Sequence, residues 1–323
     1  MNKHVEDLIL KATDAENLGE IGKIQDLWSG YGAIRRYRLT GSHWKTVVVK
    51  HVHWPQNSSF PRDWIGNRSH QRKIKSYAVE TAWYRQWRQH CDSHCYIPEC
   101  LALEKHENEI LMVLEDLNSS GYEQQRTSVS HQDMLTCLSW LAHFHATYLG
   151  QSPENLWPIG TYWHLDTRPD ELEALDDIPL KNAATAIDQK LQGTAYHTFV
   201  HGDAKLANFC FSQKGDRVAA VDFQYVGAGC GMKDVAYFIG SCLYDNECER
   251  QESTLLDHYF AALSEAAKTK SPHTDITALE SDWRALYPFA WTDFHRFIKG
   301  WSQGYWKRNS YSERLTKTVL EQL

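Results

Sequence analysis

The stretch that decides how this chain is read is "FVHGDAKLANFCF", residues 199–211, together with "AAVDFQYVG", residues 219–227. The first places His201, Asp203, Lys205 and Asn208 in one short loop, and the second ends an apolar run on Asp222. An isolated Asp or Asn in a loop is ordinarily a turn residue. Here the short turn "SQKGDR" (212–217) joins "NFCF" to "VAAVDF". A turn of that length permits antiparallel pairing of the two strands. Asn208 and Asp222 then stand near each other. Working outward, the C-terminal side is mostly helical in pattern, with helices predicted over 132–149, 170–191, 251–268 and 281–307. On the N-terminal side, "IGKIQDLW" (21–28), "AIRRYRLT" (33–40) and "HWKTVVVKHV" (43–52) are rich in β-branched residues and bounded by glycines. They predict an antiparallel meander. Residues 54–69 read as a loop, 71–90 as a helix, and 100–117 as a hairpin turning near Glu107 and Asn108.

Bulk properties bound the possibilities. A chain of 323 residues is larger than one compact core usually holds. With a β-rich first third and a helical remainder, the expected division is 1–116 and 117–323. The formal charge of −7 argues against bulk nucleic-acid or acidic-membrane binding, though not against a local basic pocket for phosphates. The first residues lack a signal-peptide pattern and no apolar run is long enough to span a bilayer, which predicts a cytoplasmic protein. The eight cysteines are expected to be reduced thiols. The cluster "HCDSHC" (90–95) has the elements of a zinc site, but all four side chains fall within one short stretch. Structural zinc sites join separated pairs, so a helix end running into a loop is the expectation.

The loop at 201–208 and the strand end at 222 match what phosphoryl transfer from ATP asks of a protein. Hard oxygen ligands must hold Mg2+, a cation must sit on the phosphates, and a carboxylate must align the acceptor hydroxyl and take its proton. Asp203 fits the base and Lys205 the cation on the migrating group. Asn208 and Asp222 fit the metal ligands.

H-x-D-x(4)-N followed by D-F-x at a strand end resembles the protein-kinase-like fold, and most closely its aminoglycoside phosphotransferase, choline kinase and ecdysteroid-kinase-like branch, which carries H-G-D. The resemblance covers roughly residues 20–310. It implies an α+β, bilobal architecture with a β-rich N-terminal lobe holding one main helix and a mostly helical C-terminal lobe. It further implies that Lys50 in "TVVVKHV" contacts the α- and β-phosphates and that Glu80 in "SYAVETAWY" orients it. The backbone of Glu115 and Leu117 would meet adenine, and Asp234 in "GMKDVAYFI" would brace the catalytic loop. His201 is expected to be structural. Taken alone, Lys50 also reads as a solvated strand lysine and Glu80 as an exposed helix carboxylate. The chain departs from the pattern at "WSGYGAIRRYRL", where Gly30 and Gly32 stand without the full G-x-G-x-x-G. Ser29 or the Gly30 and Gly32 amides are the candidate phosphate contacts there.

The residues between Asp222 and Asp234, "FQYVGAGCGMK", are too few to build a peptide-docking platform, and H-G-D lacks the Arg that senses a phosphorylated activation segment. A small-molecule hydroxyl acceptor is therefore expected, choline-like, aminoglycoside-like or another alcohol. A non-catalytic nucleotide-binding protein and a protein kinase are the alternatives. Trp291, Phe294, Ile298, Trp301 and Tyr305 recur at helical spacing. That stripe reads either as core or as an acceptor pocket containing Trp291, Asp293 or Trp301.

Overall fold

The computed structural model describes residues 3–27, 30–54, 68–302 and 310–323. The N-terminal part is a five-stranded antiparallel sheet in the order β1-β2-β3-β5-β4. Its strands are β1 (Asn17–Asp26), β2 (Gly32–Thr40), β3 (Thr46–His53), β4 (Cys100–Lys105) and β5 (Glu109–Glu115). The expected meander is therefore present, with β1 starting earlier than the glycine-bounded pattern indicated. Trp28, and all of the expected loop from 55 to 67, lie outside the described residues.

Period-two alternation decides which side chains face the site. Val47 and Val49 of β3 and Leu111 and Val113 of β5 pack against Val5 and Ile9 of helix α1 (Lys3–Thr13). Val52, Ile110, Met112 and Leu114 point to the other face, where they join Tyr77 and Val79 of α2 (Arg68–Ala82). Lys50 has the parity of Val52 and is paired in register with Met112, so the pleat directs it toward α2. Below β5 the chain turns at Asp116. Its buried carboxylate lies 2.8 Å from Arg36 Nε and accepts the Thr46 hydroxyl at 2.6 Å. The turn is thereby tied to β2 and β3.

The remainder is mostly helical. Helix α3 (His131–Tyr148) opens with a capping box between Ser130 and Asp133. The single helix expected over 170–191 is instead two, α4 (Pro169–Glu173) and α5 (Ile178–Gln192). The reason is local: the Asp177 side chain accepts the Leu180 N–H, and Pro179 sits in the first turn, so a new helix starts there. Short strands punctuate the helices: β6 (Gln124–Gln125) precedes α3, and β7 (Thr198–Val200), β8 (Phe209–Phe211), β9 (Val218–Ala220) and β10 (Gly227–Gly229) follow α5. Helices α6 (Met232–Cys242), α7 (Asp245–Lys270), α8 (Ile276–Trp301) and α9 (Ser310–Gln322) complete the core. Among the described residues, no helix is long and apolar enough to cross a membrane.

All eight cysteines are free thiols. Among the described residues the four side chains of the 90–95 cluster do not gather into a metal-ligating group. The His94 ring stacks on His143 at 4.6 Å, while Cys91 Sγ lies 3.3 Å from the Tyr148 hydroxyl.

Candidate active site

Two small ladders build the site. Strand β7 pairs with β10, and β8 pairs with β9 in the register Phe209↔Ala220. One step beyond that register, the Val221 N–H donates to the Asn208 carbonyl at 3.0 Å. Asn208 and Asp222 are therefore held at adjoining strand ends. The Phe223 side chain anchors this corner from below, stacked on Trp83 at 4.6 Å and 8° in the core. Asp222 itself has φ +70, a left-handed conformation uncommon for a residue with a Cβ.

The loop 201–208 hangs from Asp234. That fully buried carboxylate accepts the backbone N–H of His201 at 2.5 Å and of Gly202 at 3.0 Å. His201 Nε2 lies 3.0 Å from the Val221 carbonyl and joins the loop to the Asp222 strand. Gly202 is required by geometry. Its φ is +78, and a Cβ there would lie 2.1 Å from the Tyr225 carbonyl oxygen. This is the physical reason for the glycine in H-G-D: no side chain fits between the loop and residue 225. Gly202→Ala is expected to lower stability by about 2–4 kcal/mol through left-handed strain and backbone overlap. Denaturant unfolding checks this, with a lowered midpoint at unchanged slope as the expected result.

Asp203 is buried and surrounded by donors. Lys205 Nζ reaches its Oδ2 at 2.9 Å, the Tyr237 hydroxyl reaches Oδ1 at 3.2 Å, and Asn208 Nδ2 reaches Oδ2 at 3.1 Å. Burial pushes the Asp203 carboxyl above its ordinary range, and the neighbouring Lys205 only partly offsets this. Asp222 goes the other way. Burial would raise it, but Lys50, Lys73 and Lys205 together hold it below the usual range. Two carboxyl groups in one cleft are thus driven apart in proton affinity, as acid–base sites require.

Lys50 Nζ is buried and lies 2.8 and 2.6 Å from the two Glu80 carboxylate oxygens and 3.7 Å from Asp222 Oδ1. Burial works against its charge, yet Glu80 and Asp222 outweigh that and hold its proton affinity above the ordinary lysine range. The readings of Lys50 as a solvated strand lysine and Glu80 as an exposed carboxylate therefore drop out. Gln224, which carried no signal in the sequence, links the parts. Its Nε2 donates to Asp222 Oδ1, and its Oε1 accepts from Lys73 at 2.8 Å and Ser76 at 3.2 Å.

Above these groups lies a cavity of about 550 Å³. Asp203, Lys205 and Asp222 line its floor, with Tyr162, Tyr225 and Trp301 among its walls. Of the three side chains expected in an acceptor pocket, Trp301 lines this cavity and Trp291 and Asp293 do not. Trp291 is core, packed edge-on against Tyr311 and bonded to the Ser312 hydroxyl at 2.9 Å. Asp293 is buried in an ion pair with Arg296 at 2.9 Å and accepts the Trp163 indole at 3.0 Å. Helix α8 is covered on more than one side: Trp291 meets α9, while Asp293, two positions on, meets Trp163 of the loop before α4. Tyr305 lies outside the described residues.

At the other contacts expected for a nucleotide, the Leu117 carbonyl is engaged by the N–H groups of Ser120 and Tyr122, at 3.1 and 2.9 Å. The Glu115 carboxylate accepts the Tyr96 hydroxyl at 2.6 Å. Gly30 (φ +75) and Gly32 (φ +126) make the β1–β2 turn, where a Cβ on Gly32 would lie 2.0 Å from the His51 carbonyl. The Gly30 N–H bonds the Leu27 carbonyl at 3.2 Å. Ser29 lies outside the described residues.

A family model described as "Phosphotransferase enzyme family" matches residues 23–271. No curated protein sequence matches the chain. Among solved structures, the microcompartment-associated aminopropanol kinase is similar at 15% identity and TM-score 0.51, over 99% of this chain and 98% of that one. A choline kinase from Streptococcus pneumoniae is similar at 14% identity and TM-score 0.47, over 99% and 98%. An aminoglycoside phosphotransferase from Streptomyces rimosus is similar at 14% and 0.43, over 90% and 98%. At 15% identity the likeness to the aminopropanol kinase is one of fold, and it agrees with the bilobal α+β arrangement expected of the chain.

Proposed function

Because the chain belongs to the phosphotransferase enzyme family, we propose that it moves the γ-phosphoryl group of ATP onto a hydroxyl of a small molecule. The observation that carries this reading is the convergence of Lys50, Asp203, Asn208 and Asp222 on one cleft. Lys50 lies 3.7 Å from Asp222, Asn208 lies 3.1 Å from Asp203, and Asp203 and Asp222 line the same cavity. In this reading residues 1–116 and 117–323 form two lobes that divide at the Asp116 turn, with the nucleotide between them. Lys50, oriented by Glu80, contacts the α- and β-phosphates. With the Leu117 carbonyl already engaged, its N–H is the group we assign to adenine.

Asp203 accepts the proton of the acceptor hydroxyl. That oxygen forms a bond to the γ-phosphorus, the bond from phosphorus to the β,γ-bridging oxygen breaks, and ADP leaves with the electron pair. Lys205, bonded to Asp203, faces the charge that develops on the transferred group. Asn208 and Asp222 are hard oxygen donors of the kind magnesium prefers, and magnesium held by them would neutralise the phosphate oxygens. Asn208 Nδ2 is committed to the Asp203 carbonyl at 2.7 Å, which fixes the amide plane and reserves its oxygen for such a role. Asp234 and His201 position the loop, and Gln224 positions Asp222.

A small-molecule acceptor is favoured over a protein by what happens after Asp222. Residues 227–229 are consumed in pairing with β7, and α6 begins at Met232, so little chain remains to form a docking platform. The test is acceptor-dependent ADP release, screened over hydroxylated metabolites, amino alcohols and aminoglycosides with magnesium and ATP. Release with at least one alcohol, and none without magnesium, is the expected result. Failure to bind nucleotide at all would overturn the reading.

A further inference from the structure

The chain is acidic overall, with 34 Lys and Arg against 41 Asp and Glu. The described lining of the cavity is the reverse: Arg72, Lys73, Arg168 and Lys205 stand against Asp203 and Asp222. Both carboxylates and Lys205 already have roles in the proposed transfer, and Lys73 is bound to Gln224 beside Asp222. Arg72 and Arg168 have none.

These two guanidiniums sit together on the 162–168 side of the cavity. Arg72 donates to the Thr167 carbonyl at 2.6 Å and the Ser69 hydroxyl at 3.2 Å. Arg168 donates to the Tyr162 carbonyl at 3.1 Å and pairs with Glu171 at 3.0 Å. Burial works against the charge on Arg72, and so does the neighbouring Arg168. Among the described residues no carboxylate lies within ion-pair distance of Arg72, so the two cations have Glu171 alone between them. A charge surplus in a partly desolvated wall is unfavourable until an anion meets it. A cationic ligand is disfavoured at the same place for a second reason. The Arg168 guanidinium already lies 5.8 Å from the centre of the Tyr162 ring and 5.6 Å from that of Phe297. Those are aromatic faces that a quaternary ammonium would otherwise use. Beyond them Trp301 stacks on Phe297 at 6.1 Å and extends an apolar wall.

Resting on the phosphotransferase reading, we propose that the acceptor is an alcohol with an apolar frame and an anionic group, a carboxylate or a phosphate, and that Arg72 and Arg168 bind that group. Planar guanidiniums suit both anions, since each offers paired N–H donors to two oxygens.

The experiment uses the full chain with saturating magnesium and a non-hydrolysable ATP analogue, so that the donor site is filled. Calorimetry then gives the affinity of alcohols built on one frame: para-(hydroxymethyl)benzoate, para-(hydroxymethyl)benzyl phosphate, para-benzenedimethanol and para-(hydroxymethyl)benzylamine. At least one anion is expected to bind about tenfold tighter than the neutral diol, with the amine weakest. The order of the two anions identifies which group the site takes. Arg72→Met and, separately, Arg72→Gln are expected to erase that preference while leaving the affinity for the analogue within about twofold. If neither variant folds, the wild-type series decides alone. The proposal is overturned if the amine binds as well as the anions, if the preference survives either folded variant, or if none of the alcohols binds while the analogue does. If the analogue itself fails to bind, the phosphotransferase reading falls and takes this proposal with it.

Discussion

Asp203→Asn is expected to lower kcat by about 10²–10⁴-fold while leaving nucleotide affinity near that of the wild type. The carboxyl is buried and pushed up in proton affinity, yet it is held by Lys205, Tyr237 and Asn208 in a fixed position on the cavity floor. Asn keeps the shape and removes the capacity to take a proton. Nucleotide affinity is spared because Lys50 and Glu80 make their pair without reference to residue 203. Steady-state turnover of an acceptor found in the screen, measured beside nucleotide binding by calorimetry, checks both halves. A variant that turns over at near-normal rate would remove Asp203 from the role of base.

Asp222→Ala is expected to abolish the dependence of nucleotide affinity on magnesium. Losing a residue that merely orients a metal ligand weakens metal binding by about 10–100-fold, and loss of a direct ligand should exceed that. The fold should survive, because Lys50 keeps its buried bonds to both Glu80 oxygens when Asp222 is removed. Gln224 would lose its partner at Asp222 but retain Lys73 and Ser76. The measurement is the dissociation constant for ATP with and without magnesium in wild type and variant. A magnesium effect of equal size in both would show that Asp222 does not hold the metal.

How much of the site was legible varies residue by residue. Asp203, Lys205, Asn208 and Asp222 stand in two short stretches whose spacing permits a hairpin, and the β8–β9 pairing then brings them near each other. Lys50 and Glu80 are thirty positions apart, and their pairing is implied by the family resemblance, since the alternation of Lys50 with Val47 and Val49 taken alone also allows a solvated lysine. Gln224 gave no sign. A glutamine after D-F is chemically unremarkable until α2, more than 140 positions earlier, is seen to supply Lys73 and Ser76. Asp116 was equally silent, since its partners Arg36 and Thr46 come from strands far back in the chain.

The acceptor side shows the limit most sharply. Helix α8 is apolar around much of its circumference, and Leu286, Phe289, Ala290, Trp291 and Phe297 are all buried. Periodicity identifies such a helix without saying which stripe meets a neighbouring helix and which meets a cleft. What the amino-acid order alone determined was the succession of strands and helices, the alternation that sets Lys50 on the strand face opposite Val47 and Val49, and the carboxylates and amide of the 203–222 corner. Those are properties of periods and short loops, in which the chain interacts with near neighbours. Only tertiary packing decided that Trp291 and Asp293 belong to the core, and that Arg72 from α2 meets Arg168 from a loop almost a hundred residues away. Such meetings depend on how whole elements dock, and docking is settled by the summed burial of every face at once rather than by any one stretch of residues.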